Sequence, residues 1–518
     1  MLRARLKRIL QEAAGIDAVA DFSLDAPPKT EYGDYATNLP LVLAAKDKQD
    51  PMSVAAMLAQ EISDASLEKV EIAPPGFLNL YLSRDAKQAA LEEILVKAKQ
   101  YGDRATKAEK IQVEFISANP TGPLTLANGR GGFFGDVLSQ VLATQGYTVG
   151  REYYINDSGN QVRTLGLAVL AAGGLVPDNE AYYRGDHISR WAKSHTELLS
   201  SLKEKPEDLG RAVAADFMDQ LIKPAIENKM KIHFDRWTSE YIDIYQKGLH
   251  TQALEFFKQG GYVYEGEGAL WLSTTVFGDD KDRVLVTSDG LPTYLLMDSG
   301  HYLETKERGF QAKINLLGAD HYGYVPRIQA AAQILGFKNS KVIVMQLVRL
   351  VEGGQEMRMS KRKGIYVTID ELIADAGLDA VRYFFLEKNP ETHIDFDVEL
   401  ARKQSKENPV YYIQYAHARL ASIFRKESMT PADFDVAALA TDSEKALIKR
   451  LIQFSDALED TALDCRVSRL VHYAYELARD FHLFYEKNRI LDAAGGTKSA
   501  RVALALAAHP IRMYIVFL

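Results

Sequence analysis

A chain of 518 residues has room for three or four domains at about 150 residues each. Its 62 Lys and Arg against 70 Asp and Glu leave a formal charge of −8, with 47% hydrophobic and 25% charged residues. This balance excludes a disordered chain, a collagen and a basic nucleic-acid coat, but a basic stripe can still sit on an acidic body. The single cysteine, Cys465, excludes a disulfide framework and a cysteine-based zinc site, and suits a reducing compartment. No uncharged apolar run reaches the roughly 18 residues of a membrane helix. The basic start MLRARLKRIL lacks the apolar region of a secretory signal, so a cytoplasmic protein is expected.

The chain opens with Leu2, Leu6, Ile9, Leu10 and Ala13 at helical spacing. VAAMLAQEI (54–62) reads as a second helix. FLNLYLS (77–83) alternates like a half-buried strand after the turn signal Pro74-Pro75-Gly76. These pieces predict a small α+β domain over residues 1–105.

Next comes IQVEFIS (111–117), an apolar, β-branched stretch that reads as a buried strand. A glycine-rich turn, NPTGPLTLANGRGG (119–132), leads into the helical FFGDVLSQVLATQG (133–146), and VGREYYIN (149–156) is the next strand. Strand, glycine-rich turn, helix and strand make the βαβ texture of a nucleotide-binding, Rossmann-like parallel sheet, an α/β domain expected over 106–400. Apolar strands recur at RVLVTS (283–288), KINLLG (313–318) and KVIVMQLVRLV (341–351), while residues 185–265 read as a mostly helical insertion. Beyond 400 the strand signals stop. Helical stretches at 408–424, 443–460 and 468–491 predict an all-helical domain over 401–518.

Helix N-termini bind phosphate because their free N–H groups and dipole both favour an anion. Gly122, Gly129, Gly131 and Gly132 crowd this turn, and glycine lets a ligand approach the backbone; a tight structural turn is the alternative. The spacing fits neither G-x-x-x-x-G-K-[ST] nor G-x-G-x-x-G. SANPTGPLTLANGRGGFFGDVL resembles the first signature of class I aminoacyl-tRNA synthetases, in the form found in arginyl-tRNA synthetases. In that family the stretch ends in a His-x-Gly-His tetrapeptide that contacts ATP. Here the tetrapeptide is Thr125-Leu126-Ala127-Asn128. Thr125 offers a hydroxyl and Asn128 an amide, so both can donate to a phosphate. The resemblance assigns Pro120, Thr121, Gly122, Leu124, Thr125, Ala127 and Asn128 to ATP, with Thr125 and Asn128 catalytic.

MRMSKRKG (357–364) packs Arg358, Lys361, Arg362 and Lys363 together after Gly353-Gly354. Such a run is a solvated loop or a mobile cationic clamp on a polyphosphate. Given the first signature upstream, it resembles the second class I signature, Lys-Met-Ser-Lys. Arg358, Met359, Ser360 and Lys361 then meet ATP, with Lys361 catalytic.

An arginine substrate needs a carboxylate in fork geometry. Tyr294 and Asp298 lie four apart, on one helix face; without a ligand they read as a buried tyrosine and a surface aspartate. Thr293, Tyr294, Leu295 and Asp298 match the arginyl family's Thr-Tyr-Leu-x-x-Asp, whose tyrosine and aspartate hold the guanidinium. The resemblance adds Glu114, Ser117, Asn119, Asp320 and His321 to the arginine site. It implies no metal bound by the protein itself. His301 and His393 lack a second histidine or carboxylate at ligand spacing and read as packing or surface residues.

EYGDYATNLPLVLA (31–44) and PPGFLNLYLS (74–83) resemble the family's domain that meets the tRNA elbow. Phe77 and Asn79 match the place that reads a D-loop base, through stacking and edge hydrogen bonds; each also suits a strand core or cap. The C-terminal helices resemble the anticodon-binding bundle. Residues 401–430 hold six Lys and Arg against two Glu, and Tyr411 and Arg419 there are assigned to tRNA, with Tyr412 and Tyr415 expected to pack the bundle. The end, HPIRMYIVFL, departs from the family's short polar tail.

The resemblance implies ATP-dependent activation of L-arginine, with Mg²⁺ accompanying ATP, and transfer to tRNA(Arg). Relatives generally require bound tRNA before they activate arginine and are monomers. The variant tetrapeptide and unusual end keep two other readings open: a synthetase-like tRNA-binding protein with impaired catalysis, and a nucleotidyltransferase of another specificity.

Overall fold

A computed structural model describes residues 2–15, 22–27, 29–357, 368–426 and 434–516. The chain forms two compact units. Residues 1–103 join 404–465 and 469–518 in one, and residues 104–403 with 466–468 make the other.

In the first unit, four strands pair antiparallel in the order Leu24–Asp25, Tyr35–Thr37, Phe77–Leu82, Leu67–Ala73. Helices Leu2–Ala13, Leu39–Asp47, Pro51–Glu61 and Arg84–Lys97 accompany this α+β portion. The helical portion holds Pro409–Lys426, Asp442–Ile452, Phe454–Asp464, Ser468–Lys487 and Gly495–Val516. The stretch 443–460, one helical run by periodicity, is thus two helices.

The first helix buries Leu6 and Leu10 as its spacing requires, and Arg3 as well. Arg3 is 5% exposed and pairs with Asp460 at 2.7 Å, Glu459 at 2.9 Å and Asp456 at 3.4 Å. Burial pushes the Asp456 carboxyl up to about 6, against the pull of Arg3 and a hydrogen bond from the Tyr35 hydroxyl. Removing one member of a buried ion pair strands the other. Arg3→Ala is therefore expected to cost about 3–5 kcal/mol in urea unfolding at pH 8. The loss should shrink toward pH 5, where Asp456 takes up a proton instead of remaining a buried charge.

The second unit is built on a five-stranded parallel sheet: β1 (Lys110–Glu114), β2 (Thr148–Ile155), β3 (Arg236–Ser239), β4 (Ala312–Gly318) and β5 (Lys341–Met345). Their order is β5-β4-β1-β2-β3. The chain winds outward from β1 to β3, then returns to β4 on the other side of β1. This doubly wound order puts a topological switch point between β1 and β4, where ligands bind beyond the carboxyl ends of the strands. Two helices frame that point, α1 (Leu126–Thr144) and α2 (Tyr294–Glu307).

Four local readings change. Segment 236–239, inside the stretch read as a helical insertion, is the fifth strand of the main sheet. RVLVTS belongs to a separate antiparallel sheet with Ala269–Leu272 and Val263–Gly266. The run 341–351 breaks into β5 and a strand, Val348–Glu352, that pairs with Ile394–Asp397. Helix α1 begins at Leu126, so most of the glycines lie inside it rather than in a turn. There they allow close packing. A Cβ on Gly129 would come within 2.5 Å of Ile369 Cδ1, and one on Gly135 within 2.2 Å of Phe115 Cγ.

Candidate active site

The backbone leaving β1 is unusual. Ile116 and Ser117 both have positive φ, 66° and 37°, a costly choice for residues with a Cβ. Neighbours hold the turn. Tyr154 N donates to Ser117 Oγ at 3.1 Å, Asn156 Nδ2 to Ser117 O at 3.3 Å, and the Tyr153 hydroxyl to Ala118 O at 2.8 Å. This turn sends residues 119–125 across the carboxyl end of the sheet toward α1.

Thr125 caps α1. Its hydroxyl accepts from Asn128 N and donates to Asn128 Oδ1 at 2.8 Å, and Thr125 N donates to the same Oδ1 at 2.9 Å. The two polar members of the tetrapeptide thus form a reciprocal capping box. The cap fixes the amide's orientation, because only its oxygen can accept both bonds. Asn128 Nδ2 makes no hydrogen bond among the described residues and stands beside the N-terminus of a 19-residue helix. Arg130, wholly buried, anchors the helix by donating to Gln346 O at 2.6 Å and Asn389 O at 2.9 Å. Leu124 is buried, while Asn119, Thr125 and Ala127 are exposed. His187, from the helix Asp186–Ser194, lies 3.1 Å from Thr121 O.

On α2, Tyr294 and Asp298 are one turn apart, but the exposure expected without a ligand is reversed. Tyr294 is 60% exposed, and Asp298 is half-buried. Burial pushes the Asp298 carboxyl up to about 7; the Tyr324 hydroxyl that donates to it pulls the other way, and Glu114 and Glu240 push it further up. No lysine or arginine among the described residues forms an ion pair with it. With a neutral hydroxyl as its hydrogen-bond donor and the Lys313 charge acting only from a distance, this carboxylate can seat a further cation.

Glu114 ends β1. It accepts from Ser117 Oγ at 3.3 Å, Asn315 Nδ2 at 2.7 Å and Lys313 Nζ at 3.0 Å. Asp320 and His321, just past β4, are exposed and lie 3.5 Å from each other. Residues Glu114, Ser117, Asp298, Asp320 and His321 thus come from the ends of β1 and β4 and from α2.

Several groups here gave no signal by spacing. Glu240 is buried, accepts from the Tyr154 and Ser158 hydroxyls, and is raised by burial. His301, read as a packing or surface residue, is a buried polar hub: 2.7 Å from Glu152, 3.1 Å from Lys313, and stacked on Tyr154. Glu152, His301 and Glu304 offer ligand atoms within 4.8 Å of one another. Arg308 reaches Glu152, and Arg236 lies 3.0 Å from Glu304, so these carboxylates already have cations. For Glu152, burial alone would raise the carboxyl; His301, Lys313 and Arg308 outweigh it and hold it well below the usual range.

Arg358, Met359, Ser360 and Lys361 lie outside the described residues. In the other unit, Asn79 is 7% exposed on the strand Phe77–Leu82 and Phe77 is half-buried. Tyr411 stacks with Tyr415, and Tyr415 is 38% exposed rather than packed away. The Arg419 guanidinium lies over the rings of Tyr415 and Tyr485 and 3.0 Å from His482 Nδ1. His393 is exposed.

Three family profiles match this chain: the arginyl-tRNA synthetase N-terminal domain over residues 1–82, the class I (R) tRNA synthetase catalytic domain over 175–421, and the DALR anticodon-binding domain over 413–511. With the doubly wound sheet and the capped helix at its switch point, they define a class I aminoacyl-tRNA synthetase. An arginine–tRNA ligase of Carboxydothermus hydrogenoformans is 40% identical over 96% of this chain and 93% of its own length. One from Bacillus subtilis is 40% identical over 97% and 93%. The structure of the Thermus thermophilus arginyl-tRNA synthetase, 22% identical, superposes with a TM-score of 0.80 over 100% of this chain and 98% of its own, which bears on the fold. The chain belongs to the arginyl-tRNA synthetase family.

Proposed function

We propose that this protein activates L-arginine with ATP and transfers it to tRNA(Arg). The observation that carries this reading is Asp298, a half-buried carboxylate by the switch point that forms no ion pair among the described residues. The guanidinium of arginine is the cation it takes, with Tyr294 beside it and Glu114, Ser117, Asn119, Asp320 and His321 completing the pocket. ATP lies over Pro120–Leu124, with its phosphates toward Asn128 Nδ2 and the α1 N-terminus.

The arginine carboxylate then attacks the α-phosphorus in line, a P–O bond forms, and pyrophosphate leaves as the bond to the bridging oxygen breaks. Lys361, with Arg358, Met359 and Ser360, offsets the charge of the departing pyrophosphate. The terminal ribose hydroxyl of tRNA attacks the arginyl carbonyl and AMP leaves. Positioning and electrostatics suffice, with no protein nucleophile. Mg²⁺ arrives with the nucleotide, since the one carboxylate–histidine cluster of ligand geometry among the described residues is already paired with arginines.

Phe77 and Asn79 meet the tRNA elbow, and Tyr411 and Arg419 the anticodon arm, where exposed tyrosines around a guanidinium suit stacked, splayed bases. A cytoplasmic monomer fits this reading, and no described helix is long and apolar enough to cross a membrane.

Aminoacylation of total tRNA with labelled arginine tests the proposal. Labelled tRNA, with ATP–pyrophosphate exchange that needs arginine and cognate tRNA, is the expected result. Folded protein that binds tRNA without charging it would instead mark an impaired synthetase.

A further inference from the structure

Lys313 is 0% exposed, on β4 beside the central strand β1. Burying an ammonium group is costly unless it is paired and hydrogen-bonded. Here it is held on three sides. Nζ lies 3.0 Å from Glu114 Oε2 on β1, 3.1 Å from His301 Nδ1 on α2, and 4.8 Å from the centre of the Tyr302 ring. His301 passes the tie on, with Nε2 at 2.7 Å from Glu152 Oε1 on β2. The tautomer that satisfies both partners accepts from Lys313 at Nδ1 and donates to Glu152 from Nε2. Tyr302 donates to Asn315 at 2.7 Å, and Asn315 donates to Glu114 at 2.7 Å. One buried lysine therefore joins the strand that presents Glu114 to the helix that presents Tyr294 and Asp298.

The charges around it pair off. Glu152 has Arg308, Glu304 has Arg236, and Glu114 has Lys313, while Asp298 and Glu240 have only hydroxyl partners among the described residues, with the Lys313 charge reaching Asp298 from a distance. Without Lys313, Glu114 would join Asp298 and Glu240 as a third carboxylate with no ion-pair partner among the described residues. It could then compete for the guanidinium or swing away from its place.

We infer that Lys313 is a positioning residue for arginine recognition: it fixes Glu114 against α2 and offsets its charge, leaving Asp298 as the ionic seat for the guanidinium. This rests on arginine being the substrate. Lys313 acts through Glu114 and does not touch substrate itself.

A double-mutant cycle reads that dependence. Wild type, Lys313→Met, Glu114→Gln and the double variant are assayed by arginine-dependent ATP–pyrophosphate exchange with cognate tRNA. Lys313→Met should raise KM for arginine about tenfold or more, the scale of a charged hydrogen bond, with KM for ATP unchanged. In the Glu114→Gln background the same substitution should change KM for arginine less than twofold. Equal effects in both backgrounds, an unchanged KM for arginine, or a parallel rise in KM for ATP would overturn the inference.

If Lys313→Met does not fold, its recovery by Glu114→Gln supports the pairing, and failure in both backgrounds refutes it. A wild-type protein without arginine-dependent exchange refutes the functional reading instead.

Discussion

Asp298→Ala is expected to remove measurable arginine-dependent exchange at arginine concentrations that saturate the wild type, while nucleotide binding persists. The carboxylate, carried by α2, has one neutral hydrogen-bond donor, Tyr324. A guanidinium that reaches it gains charge-assisted bonds in a place with little competing water. Losing them costs about 1.5–3 kcal/mol for each bond to a charged group, hence roughly 10- to 100-fold in affinity for one bond and more for a bidentate pair. KM for arginine by exchange, with ATP affinity by equilibrium binding, makes the measurement. Arginine affinity kept within a few-fold would contradict the assignment.

The same residue sets a pH dependence. In the free protein Asp298 ionises near pH 7 because burial, with Glu114 and Glu240 nearby, disfavours its charge. On the proposed assignment it is the ionised form that takes the guanidinium. KM for arginine should therefore fall as pH rises from 6 through 7 and level off above it. A KM for arginine that stays flat from pH 6 to 8.5 would remove this titration from the binding step.

The second large effect is expected at Asn128. Asn128→Asp keeps the oxygen that accepts from Thr125 N and Oγ1, so the cap of α1 survives. It replaces the unspent Nδ2 donors with a carboxylate facing the phosphates. Loss of a donor that stabilises developing charge is worth about 10²–10³ in rate, and the added negative charge acts in the same direction. Exchange should fall by at least that factor while thermal stability stays near wild type. Asn128→Ala keeps the bond from its backbone N to Thr125 Oγ1 but loses the side-chain half of the capping box, so it should be less stable than Asn128→Asp. If Asn128→Asp exchanges pyrophosphate at the wild-type rate, the amide does not serve the phosphates.

Much of the sheet was legible because its strands are apolar and separated by helical periods: β1, β2 and β4 fall where the runs 111–117, 149–156 and 313–318 place them. β3 was hidden, being four residues long and embedded among helices, with its pairing to β2 supplied by tertiary structure. The run 341–351 reads as one strand by residue type. Its interruption at Gln346 and Leu347 depends on distant backbone: Gln346 N donates to Pro390 O, and Ile394 N to Leu347 O.

At the site, Tyr294 and Asp298 share a helix face, so their spacing was informative. Their exposures were not, because α2 begins at Tyr294 in the open and carries Asp298 inward. The Lys313–His301–Glu152 chain spans 12 and then 149 residues of sequence, so no local period could signal it. The tetrapeptide offered its donors by type alone. That Thr125 spends its hydroxyl proton on Asn128, leaving the amide as the available donor, needed geometry.

The buried Arg3 has a consequence for how the chain is made. Its partner Asp460 follows 457 positions later. At about 5–20 residues per second that is a wait of roughly 20–90 s. Through it the Arg3 guanidinium lacks its carboxylate partners, while residues 104–403 of the doubly wound unit are made in between. The Arg3 cluster is thus completed only after that stretch of the other unit has been made.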